Sequence, residues 1–290
     1  SFGPVRRVAW QLFDLVARVD RPDGVGRPRR QGLDGQAGVE SRGGFIGQPA
    51  HGPAQCRHLR CHPHLNPRPV IGCSSLDVPG FDLIAQDEDV LVLDKPAHLL
   101  CVPGRGPDKQ DCLSARVQAV YPEALVVHRL DMATSGLVVM ARHGQAQRAL
   151  SRAFAQRLSD KHYQAIVQGH LGEPGDAWSM VDAPIAVDWP RRPLRIIAPQ
   201  GQASQTRWRV LKHLMLNGEP CTRLALSPIT GRTHQLRVHL QHLGHPIVGD
   251  ALYGNAVDDG SARLLLHACA LSLPHPRTQL LTRWTSPVPF

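Results

Sequence analysis

The chain changes character near residue 80, and that break limits where a packed core can form. Residues 1–80 carry 12 Gly and 9 Pro, about a quarter of the stretch, against 14 Gly and 16 Pro over the other 210 residues. The first segment also holds 11 Arg and no Lys, and only Val5 to Val19 has a spacing that suits a short helix. So little patterned apolar surface cannot offset the entropy of ordering the chain. Residues 1–80 are therefore predicted to be largely disordered, either a basic arm or an artefact of where translation was taken to start. The folded domain is expected over 81–290.

The whole chain has a formal charge of +9 and a pI near 9.6, which points to a polyanionic partner, with nucleic acid the first candidate. No apolar run approaches the roughly 18–20 residues that a membrane-spanning helix needs. Arg6, Arg7, Asp14, Arg18 and Asp20 break up the start of the chain, so no export signal is read there. Seven Cys without a Cys-x-x-Cys pair suggest neither a disulfide framework nor a zinc ribbon, and a cytoplasmic protein is expected. Cys56, Cys61, His62, His64 and Cys73 match no usual zinc spacing. His234, His239, His242 and His245 include two i, i+3 pairs but have no nearby carboxylate or thiolate, so they are read as hydrogen-bonded or partner-facing rather than metal-binding.

From residue 81 the periodicities sharpen. Val90 to Leu93 predicts a strand, Leu113 to Val120 a short helix stopped before Pro122, and Gln145 to Leu158 an amphipathic helix with Arg148, Arg152 and Arg157 on its outer face. Tyr163 to Val167 and the stretches 205–210 and 222–226 read as strands, the last two around an Asn217-Gly218 turn. This irregular order of strands and helices indicates an α+β fold rather than a repeating βαβ one.

Between two apolar runs, Ala124 to Val127 and Leu137 to Met140, lies the polar segment His128-Arg129-Leu130-Asp131-Met132-Ala133-Thr134-Ser135-Gly136. It concentrates a carboxylate, a guanidinium, an imidazole and two hydroxyls in nine residues, on the kind of loop where sites are built. Taken alone, Asp131 reads rather as a turn residue accepting backbone hydrogen bonds in a turn closed by Gly136. Arg237 follows Thr233, a plausible N-cap, and precedes Gly244, with Leu236, Leu240 and Leu243 forming a buried helical stripe.

The nine-residue segment resembles the signature of the RluA family of RNA pseudouridine synthases. The resemblance extends through Asp94-Lys95-Pro96, Lys161-His162-Tyr163, Thr230-Gly231-Arg232-Thr233-His234-Gln235-Leu236-Arg237, Gly249-Asp250 and Leu266-His267-Ala268, covering residues 83 to about 276 in order. Asp188-Trp189-Pro190 with Arg192-Pro193 is similar to the dual-specificity branch, which acts on 23S ribosomal RNA and transfer RNA. Arg191 stands where that branch tends to have Asn.

The resemblance implies a mixed, mostly antiparallel sheet in two halves around a catalytic cleft, and isomerisation of uridine to pseudouridine without metal or other cofactor. It implies Asp131 as nucleophile, attacking ribose or base, and Arg237 as its salt-bridge partner. Tyr163 would stack on the target base and is a candidate to take the C5 proton. Arg129 would enter the RNA where the uridine is flipped out. Leu236 would line the uracil pocket or sit in the core, and His128, Arg232 and Lys161 would contact RNA. A monomer acting on RNA, without a membrane partner, is expected.

Overall fold

The computed structural model describes residues 80–254 and 263–290. The helix expected at Val5 to Val19, the disorder expected of the N-terminal segment and the Cys56–Cys73 group lie outside these residues.

The first half opens with the hairpin β1 (Asp82–Gln86) and β2 (Val90–Lys95). Helix α1 (Leu113–Val120), the short β3 (Leu125–Val126), β4 (Ser135–Ala141) and α2 (Gly144–Ala155) follow. The second half contains β5 (Asp160–Gln168), β6 (Ser179–Asp182), the small hairpin β7 (Ile185–Val187) and β8 (Arg195–Ile197), and the long hairpin β9 (Gln205–Leu216) and β10 (Glu219–Pro228). Helix α3 (Gln235–His242), β11 (Leu266–Pro274) and β12 (Leu281–Thr285) complete it.

Among the described residues one sheet runs β1-β2-β4-β11-β5-β10-β9-β6, with β3 pairing β4 and β12 pairing β11. Every pairing is antiparallel except β4 with β11, which meet over only two residue pairs, His267 with Ser135 and Ala268 with Gly136. Gly136 permits that junction. Its φ is +113°, and a Cβ there would lie 2.4 Å from the Ala268 carbonyl oxygen, so no larger residue fits without moving backbone.

Strand β4 is buried along its whole length, as the apolar run predicts for a strand covered on both faces. Leu137, Val139 and Ala141 pack with Ala146 and Leu150 of α2, while Val138 and Met140 face a second cluster with Leu93, Leu99, Leu113 and Leu130. A third cluster, built on Ile166, Leu224, Leu226, Leu236 and Leu240, fills the second half. Each fully buried aliphatic side chain contributes about 1.5–3 kcal/mol.

Helix α2 shows the expected amphipathic pattern, with Arg148 and Arg152 exposed opposite its buried stripe. It stops at Ala155 rather than Leu158 because Arg157 takes a left-handed conformation, leaving Leu158 half exposed. The expected cap of α3 also needs correction. His234, not Thr233, is the N-cap, in a left-handed conformation without a capping side chain. The buried amide of Gln235, the first helical residue, instead ties down the turn before the helix: its Oε1 accepts from the Thr230 hydroxyl at 2.7 Å and the Arg232 N–H at 3.0 Å. Gly244 closes the helix at φ +82°, as expected.

Candidate active site

Asp131 stands at the seam between the halves. Leu130, before it, is buried in the cluster of the first half, whereas Ala133, two residues on, packs against the cluster of the second. Tyr163 of β5 packs against both. The loop thus reaches across the sheet and presents its carboxylate at the junction, where β4 and β11 have just met.

Two buried groups hold the loop from the β2 side. The Lys95 ammonium, with no exposed surface, donates to the carbonyls of Pro96, Leu99 and Met132 at 2.6, 2.9 and 3.1 Å. Burial pushes its pKa down to about 8, although the nearby Cys101 and Asp131 oppose the shift. The Cys101 sulfur accepts the Leu130 N–H at 3.2 Å. The peptide groups on both sides of Asp131 are therefore tied to the segment 95–101. Beside Met132 an open cleft of about 350 Å³ runs past Leu99, Leu100, Lys109 and Arg116.

Arg237 is 4% exposed, on the inner face of α3, and its Nη1 stands 4.0 Å from Asp131 Oδ2. The expected pairing with Asp131 is thus the longer of two. Nε and Nη2 form a forked pair with the Asp250 carboxylate at 2.7 and 2.5 Å. Asp250 Oδ1 also accepts the backbone N–H groups of Leu252 and Tyr253. The Tyr253 ring lies 5.1 Å from the guanidinium, and its hydroxyl bonds His234 Nδ1 at 2.7 Å and the Arg195 N–H at 2.8 Å. Burial opposes the charge on Arg237, but Asp250 and then Asp131 more than offset it and raise its pKa. The result is a fixed cation with one edge turned toward Asp131.

The other expected site residues fall into two groups. His128, Lys161 and Tyr163 line one small cavity of about 10 Å³. Burial, followed by the charge of Asp131, pushes the Tyr163 phenol well above its ordinary value, so it is neutral at physiological pH. Burial lowers Lys161, which approaches Gly231 in the loop that carries Arg232. Burial and then Lys161 depress His128 to about 3; its Nε2 accepts the Val139 N–H at 2.9 Å and its ring stacks on Phe154. Arg129 is exposed, two residues before Asp131. Arg232 is half-buried, with its Nε 3.4 Å from the Ala203 carbonyl. Leu236 is core, 7% exposed, in the cluster that supports Tyr163.

The histidines of α3 do not converge. His239 bonds Thr206 and the Ala183 carbonyl, His245 the Gln168 carbonyl, and His234 the Tyr253 hydroxyl. Among the described residues, Asp87, Asp89 and His275 are the group whose ligand atoms approach one another most as a metal site would. Arg277 already occupies that place, bonding Asp89 at 2.8 Å and Glu88 at 2.7 Å.

Lys95, Asp250 and His267 lie in the motifs that carry the family resemblance, but sequence alone does not show that they are buried. Tyr253 gave no sequence signal.

The seam thus brings together a carboxylate, a buried guanidinium beside it and a neutral aromatic close to the carboxylate. The RNA pseudouridylate synthase family model matches residues 89–242, and the chain belongs to that family of RNA-modifying isomerases. It is 45% identical over 216 residues to the "Dual-specificity RNA pseudouridine synthase RluA" of Vibrio vulnificus, covering 73% of this chain and 85% of that protein. It is 44% identical over 200 residues to the Escherichia coli K12 protein of the same name, covering 68% and 89%. Among solved structures, human RNA pseudouridylate synthase domain containing 1 superposes with a TM-score of 0.63 at 30% identity, covering 76% of this chain and 87% of that one. The mixed, mostly antiparallel fold expected from the sequence is the fold of these proteins. No helix among the described residues is long and apolar enough to cross a membrane.

Proposed function

We propose that this enzyme is a dual-specificity pseudouridine synthase of the cytoplasm that converts uridine in a transfer-RNA anticodon stem-loop and in a hairpin of 23S ribosomal RNA. The observation that carries the catalytic reading is Asp131, held at the seam with Arg237 4.0 Å away. Asp131 attacks the flipped nucleotide at ribose or base, and the N1 glycosidic bond breaks. The uracil turns and C5 forms the new bond to the sugar, the bond between Asp131 and the substrate breaks to free the carboxylate, the C5 proton is lost and N1 is protonated. Tyr163 supplies the stacking face. Arg129, exposed next to the nucleophile, fills the space that the uridine leaves.

The dual specificity rests on the relatives and on the small size of the described domain, which favours a local stem-loop read by phosphate contacts and stacking. The tip between β7 and β8 offers such a contact: Trp189 is 66% exposed with the Arg192 guanidinium over its ring, and Arg191 closes the turn on Asp188 at 2.7 Å. His128 serves as scaffold, since its acceptor nitrogen is committed to β4.

The test incubates the protein with isolated stem-loops and full-length RNAs and maps the product, with Asp131→Asn as control. Modification of both stem-loops by the parent alone supports the reading. Turnover by Asp131→Asn overturns the mechanism, and modification of neither stem-loop overturns the substrate assignment. The same assay on residues 81–290 alone tests whether they form the catalytic domain.

A further inference from the structure

A chain of buried polar groups outside the cleft ends on the catalytic loop. The Arg263 guanidinium donates to the Ser135 hydroxyl, and Ser135 Oγ lies 2.8 Å from His267 Nδ1. His267 Nε2 lies 2.9 Å from the Ser286 hydroxyl, which bonds the Asp94 carboxylate. Ser135, His267 and Ser286 are all at most 5% exposed. The direction of the chain follows from its ends, because a guanidinium only donates and a carboxylate only accepts. Ser286 gives its proton to Asp94 and accepts from His267 Nε2–H, so Nδ1 is the acceptor for the Ser135 proton. With Ser135 donating to Nδ1 at 2.8 Å rather than to the Leu266 carbonyl at 3.5 Å, each hydroxyl donates once and accepts once, and the imidazole is neutral with one tautomer selected. Burial, the main influence on His267, acts in the same sense by lowering its pKa.

Both ends of the chain meet the nucleophile's support. Ser135 is the first residue of β4, directly after a turn in which the Thr134 N–H bonds the Asp131 carbonyl at 3.1 Å. Asp94 precedes Lys95, whose ammonium holds the Met132 carbonyl. The dipeptide Asp94-Lys95 thus grips the loop twice, directly through Lys95 and through Ser286, His267 and Ser135 at its far end. Ser286 is itself fixed by its N–H to the Cys269 carbonyl at 2.9 Å.

We propose that Ser135, His267 and Ser286 form a positioning relay that sets the location of the Asp131 carboxylate for the chemical step. The proposal rests on Asp131 as the nucleophile. None of the three touches the substrate; they act through the loop.

The experiment uses Ser135→Ala, Ser286→Ala and the double variant in the full chain, since each change removes a hydroxyl with almost no change of shape. Single-turnover pseudouridine formation at saturating RNA, RNA affinity and thermal midpoint are measured for each. Each single variant is expected to slow the chemical step on the order of tenfold, with affinity within about twofold, because small misplacements of a reacting group are costly. The double variant should be no slower than the worse single one, because either change breaks the same chain. Unchanged rates, rates and affinities falling together, or losses that multiply in the double variant would each overturn the relay. Activity of Asp131→Asn in the same assay would instead overturn the nucleophile, so the two failures are distinguishable.

Discussion

Asp250 holds Arg237 through a forked pair at 2.7 and 2.5 Å, and Arg237 in turn stands 4.0 Å from Asp131. The longer distance has chemical consequences. A carboxylate locked in a forked pair is a poor nucleophile, whereas one beside a cation engaged elsewhere keeps its lone pairs free.

Asp250→Asn should therefore damage both stability and turnover. Removing one partner of a buried ion pair typically costs about 3–5 kcal/mol. The released guanidinium is expected to turn to Asp131 and draw it into a tight pair. Thermal unfolding and single-turnover assays should show a lower midpoint and slower chemistry. Arg237→Lys, which keeps charge but loses the fork, should slow turnover more than it weakens RNA affinity; equal losses would reassign Arg237 to RNA binding.

Gly136→Ala should destabilise the protein and slow it. The residue has φ +113°, and the new Cβ would meet the Ala268 backbone at 2.4 Å. Backbone strain alone costs about 1–3 kcal/mol. Displacing β4 from β11 also moves the end of the loop that carries Asp131. A variant with the parent's melting temperature would show that this junction yields easily.

His128 makes stability pH-dependent. Its folded value near 3 lies below the ordinary 6.5, so between those values the unfolded chain binds the extra proton and acid favours unfolding. The stabilisation is complete above about pH 6.5 and is lost progressively as pH falls toward 3. His128→Gln cannot titrate, so its unfolding free energy should drop less between pH 7 and 5 than the parent's. His239 and His267 are also lowered by burial and keep part of the slope in both proteins. Identical pH slopes would place His128 in contact with solvent.

Tyr163→Phe should preserve RNA affinity and lose less turnover than Tyr163→Ala. The neutral phenol contributes chiefly its ring, packed at the seam. Comparison of single-turnover rates decides the point: a Phe variant as slow as the Ala variant would assign the C5 proton to the hydroxyl.

The sequence by itself determined several of the elements and the chemistry-bearing segments. Apolar periodicity located Leu113–Val120, the fully buried β4 and the hairpin around Asn217-Gly218, because side-chain burial follows the local repeat of helix and strand. The density of functional groups from His128 to Gly136, with the motif around Arg237, marked the site. Only the tertiary structure decided which groups meet. Periodicity places Arg237 beside a leucine stripe without showing its depth; it is buried because Asp250, 13 residues on, folds back to neutralise it. Lys95 reads as a polar residue ending a strand; its burial depends on the Met132 carbonyl, 37 residues away. Ser135, His267 and Ser286 join only because β4 and β11 run parallel for two residue pairs. Periodicity is a property of neighbours along the chain, whereas pairing of buried charges and hydroxyls depends on distances that exist only once the sheet is assembled.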